Sequence, residues 1–170
     1  MILYLMRHAW AGDFGDPRYP DDRQRPLTAE GRKRFIRWLN YLEPADIRPR
    51  VIFTSPYVRC RQTADLLAEW LADTHKYSAT VISIDELGCG ARPRDVWTTT
   101  QGHPANALAE DQAWVGHMPD MSSMCGAWLG LSGGGLHFTK GAIAAIRCDP
   151  PPQLGQGELL WLASPKMADV

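Results

Sequence analysis

The sequence predicts an α/β fold: a single three-layer α/β/α domain with a mostly parallel sheet of about six strands, an antiparallel edge and no helical cap domain. Short apolar runs alternate with stretches of helical spacing along the chain, a pattern typical of β-α-β units. The early runs are apolar throughout, as in strands that are covered on both faces. The last two runs flank a turn rich in Pro and Gly, which indicates a hairpin.

A long polar loop separates the first strand from the first helix. Residues 2–6 form the apolar run that predicts the strand, and residues 9–26 form the loop, which is rich in Gly, Pro and Asp. Loops of this length inside a compact domain are usually functional or disordered. Thr28 is predicted to cap a helix of about four turns that ends before Pro44, because apolar residues recur there at helical spacing.

A second strand is predicted at residues 51–53, immediately before a Thr-Ser-Pro sequence. Ser55 and Pro56 are predicted to be the N-cap and the first residue of the next helix, because proline favours the first helical position. That helix is expected to extend to about residue 72. A third strand, again rich in β-branched residues, is predicted at residues 81–84.

The second half of the chain has shorter elements. Residues 131–136, which contain three adjacent glycines, are predicted to form a flexible turn. The other predictions are a short helix at 94–100, a strand at 113–115, a helix at 119–129, and the two strands of the hairpin at 141–147 and 158–163.

The composition limits the class of protein. With 170 residues and 45% hydrophobic content, the chain predicts one domain over residues 1–170, and a monomer is expected. A formal net charge of -1 gives no general attraction to nucleic acid or to anionic membranes. The apolar runs are much shorter than the ~20 residues that cross a bilayer and do not resemble a signal peptide, so a cytoplasmic protein is predicted. The spacing of the 4 cysteines favours reduced structural thiols.

Polar side chains follow three of the predicted strands at the points where the strands end. Arg7 and His8 follow the first strand, Ser55 and Arg59 follow the second, and His117 follows the fourth. Ligands bind at the carboxyl ends of strands in open α/β sheets, so parallel neighbours would bring these groups together. Guanidinium groups bind phosphate through paired charge-assisted hydrogen bonds, and a neutral imidazole can attack phosphorus. The pattern therefore predicts an anion site suited to phosphoryl transfer.

Five short motifs lie at these junctions of strand and loop or close to them. They are Leu5-Met6-Arg7-His8-Ala9, Arg25-Pro26-Leu27-Thr28, Ser55-Pro56-Tyr57-Val58-Arg59, Gln62-Thr63-Ala64 and Val115-Gly116-His117-Met118-Pro119-Asp120. In this order they resemble the motifs of the histidine phosphatase superfamily, also called phosphoglycerate mutase-like. Within it, the chain is most similar to the small phosphohistidine phosphatases of the SixA type, and the likeness covers nearly the whole chain.

The resemblance implies a role for each site residue. His8 would be the nucleophile that is transiently phosphorylated, and His117 would be the second imidazole, which stabilises the transferring group. Arg7, Arg25 and Arg59 would bind phosphoryl oxygens. Because a cluster of guanidiniums can supply the charge stabilisation that magnesium gives to kinases, no metal or other cofactor is implied.

Glu86 has two open interpretations. It matches the position after the third strand where many members of the superfamily carry a carboxylate, which could protonate a departing alkoxide. It could equally be a surface residue in a turn. A phosphohistidine substrate leaves as imidazole and needs less help from an acid.

The preferred function is hydrolysis of phosphohistidine on a partner protein, such as a phosphotransfer domain or a carrier, through a covalent intermediate. The segment between the third and fourth strands is too short for the inserted helices that roof small-molecule pockets in larger members, so an open cleft is expected. The alternative is a small-molecule phosphomonoesterase that uses Glu86 as its general acid. A catalytically silent module that binds phosphorylated partners is a third reading, which the complete set of His and Arg residues disfavours.

The first loop has two further features of interest. Asp13, Asp16, Asp21 and Asp22 are interpreted as a solvated turn, because their spacing is not that of a calcium loop. Trp10 could form one wall of the site or could pack under the loop. The loop is longer and more acidic than the resemblance leads us to expect, which bears on the choice of partner.

Overall fold

The computed structural model describes residues 1–106, 110–132 and 136–169. The glycine run at 133–135, within the predicted turn, lies outside these residues. The described strands are β1 (Ile2–Arg7), β2 (Val51–Thr54), β3 (Thr80–Ser83), β4 (Gln112–Gly116), β5 (Ile143–Arg147) and β6 (Glu158–Ala163). The described α-helices are α1 (Ala29–Tyr41), α2 (Val58–His75), α3 (Pro93–Gly102) and α4 (Asp120–Trp128).

The strands form one sheet in the order β3-β2-β4-β1-β5-β6. The first four in this order run parallel, whereas β5 is antiparallel to both β1 and β6. The last residue of β1, Arg7, lies opposite Gly116 of β4, and Thr54 of β2 lies opposite Val115. The predicted mostly parallel sheet with an antiparallel edge is therefore confirmed, and the carboxyl ends of three strands meet at one edge.

Alternate side chains of β1 enter two separate hydrophobic cores. Tyr4 and Met6 pack with the buried residues of α1 and α2, whereas Leu3 and Leu5 pack with those of α3 and α4. Successive side chains of a strand point to opposite faces of the sheet, so both faces of β1 are covered by helices. This arrangement explains why the strand is apolar throughout and confirms the predicted three layers.

The N-terminus of α1 is capped as predicted. The side chain of Thr28 accepts a hydrogen bond from Gly31 N, which satisfies one of the free N–H groups of the first turn. The helix ends at Tyr41, before Pro44.

The predicted start of α2 was wrong by two residues. The helix begins at Val58 with Tyr57 as its N-cap, rather than at Pro56 with Ser55 as the cap. The hydroxyl of Ser55 instead contacts the ring of His117 and accepts from Tyr57 N at 3.3 Å, so it does not cap the helix. The helix also continues past residue 72 to His75.

The described part of the segment between β3 and β4 packs mainly on the face of the sheet that carries α4, and its Cys89 Sγ lies 4.0 Å from Arg59 Nη2. Within its described part, the only α-helix is α3, which belongs to the same core as α4 through Val96 and Trp97. None of the helices in the described part of the chain is long and apolar enough to span a bilayer.

Candidate active site

The backbone of His8 is held on both sides at the end of β1. His8 N donates to Gly116 O of β4 at 3.0 Å, and Gly141 N donates to His8 O at 3.1 Å. Gly141 adopts a φ of 75°, a conformation that glycine reaches without strain. The histidine is therefore fixed between β4 and the residues that lead into β5, and only 6% of it is exposed.

Hydrogen bonding determines which nitrogen of the His8 ring carries the proton. The Nδ1 atom lies 2.7 Å from Ala9 O, and a carbonyl oxygen can only accept, so Nδ1 is the protonated nitrogen. Ala9 N in turn donates to the hydroxyl of Thr63, which donates to Arg59 O on α2. The Nε2 atom makes no hydrogen bond to the described residues. Its lone pair is therefore available as a nucleophile.

The second imidazole lies beside the first. The ring centroids of His8 and His117 are 5.5 Å apart, with an angle of 62° between the ring planes. Arg59 Nη2 lies 3.3 Å from His117 Nδ1, and a guanidinium can only donate, so Nδ1 accepts this bond. His117 Nε2 then carries the proton and donates to Ser55 Oγ at 2.9 Å. The predicted convergence of His8, Arg59 and His117 is present in the structure.

Burial keeps both imidazoles neutral. It lowers the pKa of His8 from 6.5 to about 3, and the positive charge of Arg59 adds to this effect, whereas the hydrogen bond to Ala9 opposes it. Burial and the charge of Arg59 likewise lower the pKa of His117 to about 3. At neutral pH the two rings therefore add no charge to the site, and His8 keeps its nucleophilic form.

Two of the predicted arginines are joined by an aspartate. Asp22 Oδ1 accepts from Arg25 Nε at 2.7 Å, and Asp22 Oδ2 lies 3.0 Å from Arg59 Nη1. Arg59 Nη1 also donates to the backbone oxygen of Asp22 at 2.8 Å, and Arg25 Nη1 donates to Gly12 O at 2.6 Å. The prediction that Asp22 belongs to a solvated turn was wrong, because its carboxylate joins two buried guanidiniums.

Arg7 approaches the site from β1. Its Nη1 donates to Phe138 O at 2.9 Å, and burial lowers its pKa below the usual value. The Nε atoms of Arg7 and Arg59 are buried and have no hydrogen-bond partner among the described residues. Because these two Nε atoms are closed to solvent, only the terminal Nη groups of the two side chains could meet an oxyanion.

Glu86 is not brought into contact with these groups. It lies in a 3₁₀ turn, Asp85–Leu87, and is half-buried. Among the described residues, no hydrogen bond or ion pair joins it to an imidazole or guanidinium of the site. Its role as a general acid stays a prediction.

Trp10 belongs to the packing around α1. The guanidinium of Arg34, on the helix, lies 4.1 Å from the centre of the indole ring. A Cβ atom added at Gly141 would lie 3.3 Å from the far edge of the ring, and Trp10 O lies against Gly31 of α1. Of the two interpretations of Trp10, packing under the loop is the one that the structure supports.

Sequence reasoning missed the residues that contact His117 from α2 and its N-terminal segment. The ring of Tyr57 lies 4.8 Å from the His117 ring between centroids, and Cys60 Sγ lies 3.5 Å from His117 Nε2. Their positions at the N-cap and in the first turn of α2, close to Arg59, are the only sequence signal for them. In the described part of the chain, no three His, Cys, Asp or Glu side chains form a group that could hold a metal ion.

Comparison with known proteins agrees with this geometry. Residues 3–91 match the model of the histidine phosphatase superfamily (branch 1). An uncharacterized protein from Picosynechococcus sp. is 30% identical over 179 residues, which cover 98% of each chain. The structure of the protein histidine phosphatase SixA complexed with tungstate has a TM-score of 0.80 at 22% identity and covers 99% of both chains. A SixA-type protein from Agrobacterium tumefaciens has a TM-score of 0.72 at 22% identity, over 96% of this chain and 97% of its own.

Proposed function

The chain belongs to the histidine phosphatase superfamily, and we propose that it hydrolyses phosphohistidine on a partner protein through a phosphorylated intermediate on His8. Family membership and the SixA-like fold support phosphatase activity. The observation that carries the finer proposal is the state of His8: a neutral ring with a free Nε2 lone pair, 5.5 Å from a second imidazole.

In the first step, the lone pair of His8 Nε2 attacks the phosphorus atom of the substrate. The P–N bond of the substrate breaks, its electron pair stays on the departing imidazole, and that nitrogen takes a proton from solvent. The hydrogen bond from His8 Nδ1 to Ala9 O stabilises the positive charge that develops on the ring as the new P–N bond forms. The barrier is divided between two easier displacements.

In the second step, water attacks the phosphorus atom of phosphorylated His8. The bond from phosphorus to Nε2 breaks, its electron pair returns to the ring, and phosphate leaves while the proton of the attacking water passes to solvent. His8 regains the neutral state from which it started, which burial of the ring favours.

We assign the charge stabilisation in both steps to Arg7, Arg25 and Arg59, without a metal ion. Phosphoryl transfer depends mainly on positioning and on donors aimed at the equatorial oxygens, which planar guanidiniums supply. His117 accepts from Arg59 Nη2 and so orients that guanidinium beside the nucleophile.

A protein-borne substrate fits the surroundings of the site better than a small phosphate ester does. The described part of the segment between β3 and β4 contains one α-helix, α3, which packs with α4. A phosphate ester would also need an acid for its alkoxide, and Glu86 makes no described contact with the imidazoles or guanidiniums. The imidazole of phosphohistidine leaves more readily.

Steady-state assays of one phosphohistidine-bearing phosphotransfer domain and one sugar phosphate test this proposal. His8→Asn is expected to lower kcat on phosphohistidine by about a thousandfold or more, because no nucleophile remains. Glu86→Gln is expected to change kcat by less than about fivefold. His75→Asn is the matched control, because His75 lies at the opposite end of α2, and it should behave as wild type.

A different pattern would favour the small-molecule phosphomonoesterase. In that case the wild type would hydrolyse the sugar phosphate and not phosphohistidine, and Glu86→Gln would abolish the activity. This outcome would overturn the proposed substrate class and would assign Glu86 as the general acid.

A further inference from the structure

We propose that Asp22 is a positioning residue, whose carboxylate holds Arg25 and Arg59 in place and sets the net charge that an oxyanion meets in the site. The inference rests on the proposed function, because it concerns the guanidiniums to which phosphoryl binding is assigned. It concerns a residue of the first loop that forms no part of the motifs at the strand ends.

The carboxylate joins guanidiniums from two different parts of the chain. Its Oδ1 accepts from Arg25 Nε at 2.7 Å, and its Oδ2 lies 3.0 Å from Arg59 Nη1. The backbone oxygen of Asp22 gives Arg59 Nη1 a further acceptor at 2.8 Å. Asp22 therefore ties the first loop to α2 through both its side chain and its backbone.

Burial distinguishes this cluster from the other ion pairs of the loop. The side chains of Arg25, Arg59 and Asp22 are 10%, 4% and 31% exposed. In the neighbouring pair, Arg23 is 64% exposed and Asp21 is 42% exposed. Exposed pairs contribute little to stability or orientation, whereas loss of one partner from a buried cluster leaves charges without compensation.

The bonds to Asp22 leave particular donors free. Asp22 occupies Arg25 Nε and Arg59 Nη1, and Gly12 O occupies Arg25 Nη1. Arg25 Nη2 makes no hydrogen bond to the described residues, and Arg59 Nη2 lies beside His117 Nδ1. Arg25 Nη2 is thus free for a ligand, whereas Arg59 Nη2, which also lies 4.0 Å from Cys89 Sγ, reaches a ligand only by exchanging its bond to His117. Such preorganisation lowers the cost of ordering them in the transition state.

Asp22 also changes the charge of the site. Burial acts to raise the pKa of Asp22, but the hydrogen bond from Arg25 and the charges of Arg59 and Arg25 outweigh it, so the pKa is lowered and the group is ionised. With both imidazoles neutral, three guanidiniums and this one carboxylate leave a net charge of about +2 in place of about +3. A bound phosphate is repelled by the carboxylate, which favours product release.

Removing the charge of Asp22 should therefore raise the affinity for phosphate and lower kcat. Asp22→Asn keeps the shape of the side chain, so phosphate should bind more tightly, by about threefold to tenfold. The looser guanidiniums should lower kcat by about tenfold. Inorganic phosphate is the probe, measured by isothermal titration calorimetry, and kcat is measured on the phosphohistidine domain.

Asp21→Asn is the matched control. Asp21 is the preceding residue, its side chain pairs only with Arg23, and asparagine can still cap the short turn that follows. Both the dissociation constant for phosphate and kcat should stay within about twofold of wild type for this variant.

Asp22→Glu distinguishes the effect of the carboxylate's charge from the effect of its position. It also replaces Asp22→Asn in the experiment if that variant does not fold. It keeps the charge but moves the carboxylate, so the phosphate affinity should stay near that of wild type while kcat falls. The proposal is overturned if the Asp22 variants match Asp21→Asn, or if Asp22→Asn weakens phosphate binding along with kcat, as a collapsed site would. If the wild type does not hydrolyse phosphohistidine, the proposed function fails, and the phosphate arm alone decides the role of Asp22.

Discussion

At the scale of single residues, the site depends on which nitrogen of each imidazole is bound. His8 donates through Nδ1 to Ala9 O, whereas His117 donates through Nε2 to Ser55 Oγ. Each ring is therefore fixed by one acceptor and keeps its other nitrogen on the side of the site. Ser55 is completely buried, so no water replaces its hydroxyl if it is removed.

Ser55→Ala should leave the Nε2–H group of His117 with only a weak sulfur acceptor, Cys60 Sγ at 3.5 Å. The free energy of unfolding should fall by about 1–3 kcal/mol, the usual cost of a buried unpaired donor. The Nε2–H tautomer should lose population, which nitrogen NMR of labelled histidine measures directly. Ser78→Ala is the control, because Ser78 is exposed. Equal stability of the two variants, with the tautomer unchanged, would show that Ser55 does not orient His117.

The residues that follow strands could be predicted from the sequence, but Asp22 could not. Arg7, His8 and His117 come directly after apolar runs, and the parallel sheet brings the ends of such runs to one edge. Asp22 lies in a loop without periodicity, and the sequence does not distinguish it from the other aspartates of that loop. Only its position three residues before Arg25 sets it apart, and that spacing has no general meaning outside a helix.

At the scale of elements, the connection from β1 to α1 is held by close backbone contact. Thr28 N donates to Trp10 O at 3.0 Å, and Gly31 lies against the same carbonyl group. A Cβ atom added at Gly31 would lie 2.2 Å from Trp10 O. The first turn of α1 therefore packs on the chain that leads away from His8, which only glycine allows.

Gly31→Ala should destabilise the protein, although alanine is the better helix former. The clash with Trp10 O should lower the free energy of unfolding by about 1–3 kcal/mol, because backbone must shift to relieve it. Gly102→Ala at the end of α3 is the matched control, since nothing lies within 4 Å of its added Cβ. That variant should be neutral or stabilised by up to about 1 kcal/mol. Chemical denaturation measures both, and a stabilised Gly31→Ala would refute the packing described.

The accuracy of the sequence-based predictions differed between elements. The strands could be predicted because runs such as residues 2–6 are buried on both faces and carry no polar residues. The start of α2 was placed wrongly because the sequence signal of Ser55 and Pro56 for a helix cap is local, whereas the hydroxyl of Ser55 contacts His117 and does not cap the helix. Tertiary contacts of this kind cannot be recognised from the sequence of one segment alone.

At the scale of the whole molecule, charge and burial of the site affect the stability of the fold. The chain has a formal net charge of -1, yet the three guanidiniums and two neutral imidazoles of the site lie together at one edge of the sheet. Both histidines have folded-state pKa values of about 3, below their ordinary value of 6.5. As the pH falls below 6.5, these two histidines therefore bind protons in the unfolded chain but not in the folded protein.

Stability should consequently be full above pH 6.5 and should fall as the pH decreases toward 3. Between pH 7 and pH 5 the expected loss is on the order of 2 kcal/mol for each of His8 and His117. Urea denaturation at several pH values measures the loss, and His8→Asn should reduce it by about half. A loss that is the same in wild type, His8→Asn and His117→Asn would mean that these imidazoles are not held neutral by the fold.

The central claim is that His8 carries the phosphoryl group during turnover. The most direct test is to mix the protein with the phosphohistidine domain, quench within the first turnover under alkaline conditions that preserve phosphohistidine, and locate the label by mass spectrometry. We predict one phosphoryl group on His8, bonded to Nε2, and none in His8→Asn. Hydrolysis of the substrate with no label on His8, or with a label on another residue, would contradict the account.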